Sequence, residues 1–165
     1  MLSVRHACPN DTDIIMNIFA RAKKFMAEEG NPNQWGGAYP ERHRIEEDIE
    51  AGVCHVVTDE AGEIAGTFCL IIGTDPTYDH IIGQWPDSSP YGTIHRIASA
   101  GTHKGVADCA LEYCLSKINT IRIDTHADNR PMLNWITRSG FSHCGTIFTH
   151  DGSPRLAFHL SKHQI

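Results

Sequence analysis

Residues 94–108 constrain this chain more than any other stretch. A run with strand character at 94–98 passes through Ser99, Ala100 and Gly101, and then Gly105, straight into an amphipathic helix. A strand that hands over to a helix through small residues leaves the helix's first N–H groups without intrahelical partners. Those groups sit at the positive end of the macrodipole, where an anion can settle against main chain. Gly105 and Ala107 lack the bulk that would block a phosphate. Ala107, Leu111, Cys114, Leu115 and Ile118 then recur as one apolar stripe that anchors the helix. Many strand-to-helix turns use glycine for geometry and bind nothing, so this segment alone leaves both readings open.

Downstream, residues 121–126 alternate like a strand and run into a second helical pattern over 127–141. Pro131 suits that helix's first turn and Gly140 its C-terminal cap. The two units are strand to cradle to helix, and strand to Asn129 to helix to Gly140 and Phe141. Together they resemble the GNAT superfamily of N-acetyltransferases, whose members transfer an acyl group from acyl-CoA to an amine, and the resemblance spans nearly the whole chain.

The family's cradle reads Gln/Arg-x-x-Gly-x-Gly/Ala, and Thr102, Gly105 and Ala107 stand at those positions, so only the first residue departs. The family grips pyrophosphate mostly by main chain. The resemblance therefore implies a CoA site made by Ile97, Ala98, Ser99, Thr102, His103, Lys104, Gly105, Val106, Ala107 and Asp108, with Asn129 and Trp135 from the second unit. Lys104 adds positive charge nearby, as does His103 when protonated. The second motif normally reads Asn-x-x-Ala-x-x-Leu-Tyr-x-x-x-Gly-Phe, and Asn129, Met132, Trp135, Ile136, Gly140 and Phe141 align to it. Ile136 stands where many relatives carry the phenol that protonates the departing thiolate, so that role has no bearer there. A thiol pKa near about 8.5 makes thiolate a tolerable leaving group, and its loss should slow transfer rather than abolish it.

The remainder of the chain reads as a strand at 2–7, a helix capped by Asn10 or Thr12, and a breaker-rich loop at 30–40. Ile14, Ile15, Ile18, Phe19, Ala22, Phe25 and Met26 form the apolar face of that helix. A short charged helix at 41–50 follows, then a hairpin of 54–59 with 64–72. A second loop at 74–90 precedes a strand at 92–98, and a hairpin of 146–149 with 155–160 closes the chain. Strands separated by helices predict an α/β or α+β fold around a mixed sheet, as one domain over residues 1–165. The resemblance refines this to the acyl-CoA N-acyltransferase fold, in which two neighbouring parallel strands splay so that CoA wedges between them. Here those are the strands ending near Ser99 and His126.

A net charge of -6 argues against a nucleic-acid binder and weakly favours cationic acceptors. The six cysteines include no C-x-x-C pair, most sit in apolar patterns, and they read as reduced core thiols. With no signal-like N-terminus and no apolar span of membrane length, a cytoplasmic protein with no membrane partner is expected. No metal site is expected, because the histidines follow no ligand spacing. A homodimer stays open.

A lysine-like acceptor amine costs about 4.6 kcal/mol to deprotonate at neutral pH, and an α-amino group about 1 kcal/mol, so a general base is worth having. Alternation puts His95 on the face of Thr93 and Ile97, just before the cradle, as the first candidate. Asp124 and His126 are a reserve acid and base pair on the second strand, although either residue serves a turn equally well. A main-chain N–H near Ile97 or Ala98 is the candidate oxyanion donor. Trp35, Tyr39 and Trp85, large aromatics in breaker-rich loops, are assigned to the acceptor pocket. The expected activity is N-acetylation of a small-molecule or peptide amine with acetyl-CoA as co-substrate. The rival is a non-catalytic acyl-CoA binding or sensing module.

Overall fold

A computed structural model describes residues 1–164. The chain runs β1 (Ser3–His6), α1 (Thr12–Glu28), α2 (Arg42–Glu50), β2 (Cys54–Thr58), β3 (Ile64–Ile72), β4 (Ile82–Gly83), β5 (Gly92–Ser99), α3 (Val106–Lys117), β6 (Thr120–Thr125), α4 (Arg130–Arg138), β7 (Ser142–Phe148) and β8 (Pro154–Ser161). All eight strands join one mixed sheet in the order β1-β2-β3-β5-β6-β8-β7-β4. Its neighbours are antiparallel except at β5 and β6, which run parallel.

One face carries α3 and α4, where Phe68, Leu70, Ile94, Ile121, Ile123, Phe158 and Leu160 pack with Ala110, Leu111, Leu115, Trp135 and Ile136. The other face carries α1 and α2 over Cys54, Val56, Cys69 and Ala98, and a second patch where Tyr78 and Tyr91 meet Ile147 and Ala157. Ile136 is fully buried in the first core. The position that the family resemblance would assign to a phenol is here a packing position.

Local details differ from expectation. The cap of α1 is neither Asn10 nor Thr12: Asp11 holds that position, and its carboxylate takes Arg5 and the Cys8 N–H instead of the helix's own amides. Ile14 and Phe25 are 48% and 43% exposed. At 100° per residue they lie roughly 80–100° around the helix from Ile15, at the rim of the stripe. In α3, Val106 and Ala110 take the central buried places expected for Ala107 and Ile118, and Ile118 already ends the helix in an extended conformation. The thiols divide: Cys54, Cys69 and Cys114 are buried, Cys109 and Cys144 partly so, and Cys8 is exposed. The 74–90 segment is more than a loop, since it contains a 3-10 turn at Pro76–Tyr78 and the two-residue β4, which pairs with β7. Among the described residues no helix is long and apolar enough to cross a membrane.

Candidate active site

The site begins where the sheet fails. β5 and β6 pair only at Gly92↔Ile121 and Thr93↔Arg122, and beyond that point the strands separate. Main-chain groups of β5 that face the gap past Thr93 therefore have no ladder partner. On its other edge β5 stays paired to β3, but with a register shift: Cys69 faces His95 and Thr67 faces Ala98, so β5 carries one extra residue. That residue is accommodated at Arg96, whose φ is 50°. The bulge breaks the expected alternation. Ile97 packs toward the α3 and α4 core, whereas Arg96 reaches Asp48 of α2 on the opposite face, with Nε and Nη2 each 3.0 Å from Oδ2. His95 and Ile97 thus do not share a face.

β5 ends in the cradle. Gly105 is the N-cap of α3 at φ 83°, with no side chain capping the helix, so the first-turn N–H groups of Val106, Ala107 and Asp108 point out unpartnered by side chains. A Cβ built on Gly105 would meet no atom within 4 Å, which makes the space beside it open. Ser99 Oγ accepts the Gly101 N–H, and Thr102 Oγ1 lies 2.8 Å from His103 Nδ1. His103 Nε2 pairs with Asp59 at 3.2 Å, while Lys104 is exposed. Ala98 is buried beneath α1, and Val106 is buried beneath the α3 side.

Two residues assigned to CoA carry structural bonds. Trp135 is buried and donates its indole N–H to Asp108 at 2.8 Å, pinning α4 to the first turn of α3. Asn129 accepts the Met132 N–H as the cap of α4 and gives its amide N–H to Gln34. Both hold the rim of the gap in shape.

On the sheet face opposite α3, His95 Nε2 lies 2.8 Å from Asp75 Oδ2. Burial raises the Asp75 pKa, but hydrogen bonds from His95 and from the Thr77 hydroxyl and N–H outweigh it and hold the carboxyl at about 2. Asp75 is therefore ionised and accepts the Nε2 proton, which leaves Nδ1 as the imidazole's basic nitrogen. The Tyr91 hydroxyl takes the Asp75 N–H at 2.8 Å and fixes the turn. Beside this pair, Tyr78 donates its hydroxyl to Asp124 Oδ1 at 2.6 Å. Burial pushes the Tyr78 phenol and the Asp124 carboxyl both upward.

Asp124 and His126 do not form the expected pair. Asp124 turns to Tyr78, and His126 Nδ1 accepts the Asp128 N–H at 3.0 Å in the turn before α4. His126 lies past the end of β6, where strand alternation no longer fixes which way a side chain points.

The three loop aromatics do not converge either. Trp35 packs edge-on against Phe19 of α1 and neighbours Tyr39, whose hydroxyl accepts from Arg96 at 3.1 Å. Trp85 belongs to the 74–90 segment, gives its indole N–H to the Tyr78 carbonyl, and stacks on the buried Arg122 guanidinium, against which Tyr91 also packs. Trp85 is thus scaffolding for the turn that carries Asp75 and Tyr78. Trp35 and Tyr39 belong to the 30–40 loop, which reaches both splayed strands: Tyr39 meets Arg96 of β5, and Gln34 Oε1 accepts from Thr125 of β6 and from Asn129. Arg155 of β8 ties down the Gln34 carbonyl.

Sequence reasoning missed Asp75, Tyr78 and Gln34. Asp75-Pro76-Thr77 does carry a readable turn signature, a side chain bonding its own backbone two residues on. Nothing local indicates that the turn faces His95. Among the described residues no group of three His, Cys, Asp or Glu is arranged to hold a metal ion.

Comparison with known proteins agrees with this fold. A GNAT-family acetyltransferase from Streptococcus agalactiae 2603 is similar to this chain at 31% identity, covering 98% of this chain and 95% of that one, with a TM-score of 0.88. A putative acetyltransferase from Staphylococcus aureus Mu50 (23% identity, 96% and 98% covered, TM-score 0.72) and a GNAT-family acetyltransferase from Listeria monocytogenes 4b F2365 (21%, 97% and 94%, 0.72) share the fold. Neither a protein-family model nor a curated protein matches the chain.

Proposed function

The chain belongs to the GNAT family of acetyltransferases, and we propose that it transfers an acetyl group from acetyl-CoA to a primary amine of a small molecule or peptide. One observation carries the reading: the parallel ladder of β5 and β6 stops after two pairs, beside an uncapped helix N-terminus set on a left-handed glycine with free space at its Cβ. The gap suits a pantetheine arm and the cradle suits a pyrophosphate. When bound, acetyl-CoA supplies a thioester carbonyl for the amine to attack and a thiolate to leave.

His95 then takes the amine proton at Nδ1, while Asp75 holds the ring at Nε2 and offsets the charge that develops on it. A main-chain N–H near Ile97, freed by the bulge and the gap, is the donor for the carbonyl oxygen as it gains charge. With Ile136 buried and aprotic, the imidazolium of His95 returns its proton to the departing sulfur, so one residue handles both transfers. Asp124 and Tyr78 set the polarity of the acceptor side.

The buried Ile136 also favours the second reading, a non-catalytic acyl-CoA binding or sensing module. Turnover separates the two. A screen of polyamines, amino acids, aminoglycosides and peptide N-termini, read by free-thiol release above the rate of acetyl-CoA hydrolysis, should find an acceptor. Tight CoA binding with no thiol release across the screen would favour the module.

A further inference from the structure

The cradle holds more positive charge than its own loop provides. Arg21, on α1 and nearly eighty residues upstream, lays its guanidinium directly over Gly101. A Cβ on Gly101 would sit 2.0 Å from Arg21 Nη2 and 2.2 Å from Cζ, so any other residue there would displace the guanidinium. Gly101 adopts φ 78°, and its lack of a side chain is what admits the arginine. Among the described residues Arg21 makes one bond, a long one from Nη1 to the Ser99 carbonyl at 3.4 Å.

Arg5, Arg42, Arg44, Arg96 and Arg138 each meet a carboxylate. Among the described residues Arg21, like Arg122, Arg130 and Arg155, has none within 4.0 Å. The Arg21 guanidinium stands over the loop that carries Lys104 and leads into the N-terminus of α3. The loop's His103 is already engaged by Asp59. A guanidinium with most of its five donors free of protein partners, set over the loop that begins α3, suits an anion with several acceptor oxygens.

We propose that Arg21 is a phosphate-binding side chain of the cradle, gripping the pyrophosphate of CoA from the α1 side while the α3 amides grip it from the other. The proposal rests on the acetyl-CoA reading above and adds a ligand from a helix that neither motif includes.

The test is Arg21→Gln, which keeps a good helix former at an exposed position. Affinities for CoA, dephospho-CoA and pantetheine are measured by calorimetry or competition on folded protein, with the melting temperature as control. CoA and dephospho-CoA should weaken together by about tenfold or more, while pantetheine, which has no pyrophosphate, is unaffected; Arg21→Lys should recover part of the loss. In turnover, KM for acetyl-CoA should rise with kcat nearly kept. Unchanged CoA affinity overturns the proposal, as does a loss confined to CoA, which would put the contact on the 3′-phosphate, or an equal loss for pantetheine. Wild-type protein that binds no CoA would instead overturn the acetyl-CoA reading itself.

Discussion

Gly105 allows the cradle to be tested separately from the fold, because the chain carries a matched control. Gly105 and Gly152 adopt φ of +83° and +85°, and a Cβ on either meets nothing within 4 Å. Alanine at each position therefore adds the same left-handed strain and no clash, at a cost of about 1–2 kcal/mol. For a chain of this size that is a drop of about 2–8 °C in melting temperature. Gly152 sits in the turn between β7 and β8, whereas Gly105 starts α3 beside the gap. The two variants should therefore lose similar stability yet part on ligand affinity. Gly105→Ala puts a methyl where pyrophosphate oxygens approach main chain and should weaken CoA by tenfold or more, at least about 1.4 kcal/mol, while Gly152→Ala keeps the wild-type Kd. Calorimetric titration with CoA, paired with thermal melts, reads both quantities. If folded Gly105→Ala binds CoA as tightly as Gly152→Ala does, the open space at Gly105 is not where the anion sits and the cradle argument fails.

His95→Gln should lower kcat/KM, and Asp75→Asn should lower it too by removing the carboxylate that orients the ring; a variant with the wild-type kcat/KM makes its residue structural. Asp48→Ala leaves the Arg96 guanidinium buried without its partner (their side chains are 7% and 10% exposed) and should cost about 3–5 kcal/mol in urea unfolding, whereas a change below 1 kcal/mol would mean that water or Tyr39 replaces the carboxylate. Buried His55 is held at about 4, chiefly by desolvation and then by His6, against an ordinary 6.5. Its neutral ring therefore favours the folded state fully above pH 6.5, and up to about 3 kcal/mol of stability is lost as pH falls from there toward 4, because the unfolded chain takes up the proton first. His55→Gln should flatten that part of the stability profile between pH 7 and 4.5, and an unaltered slope would show that the ring does not titrate on unfolding.

What could be read from the residues in order was what short-range geometry controls. The α3 and α4 helices and the strand before each follow from a repeat of 3.6 or 2 residues. The step from those two units to the acyltransferase fold rested on their resemblance to the family's motifs. The chemistry around His95 was decided elsewhere. A single extra residue in β5, absorbed at Arg96, moved Ile97 off the face that alternation predicts, and only pairing with β3 reveals that insertion. Asp75 meets His95 across 20 positions, Gln34 meets Thr125 across 91, and Arg21 meets Ser99 across 78. No local period encodes such encounters. They exist because the sheet order carries loops from distant parts of the chain to one end of the parted strands, where packing rather than sequence neighbourhood selects each side chain's partner.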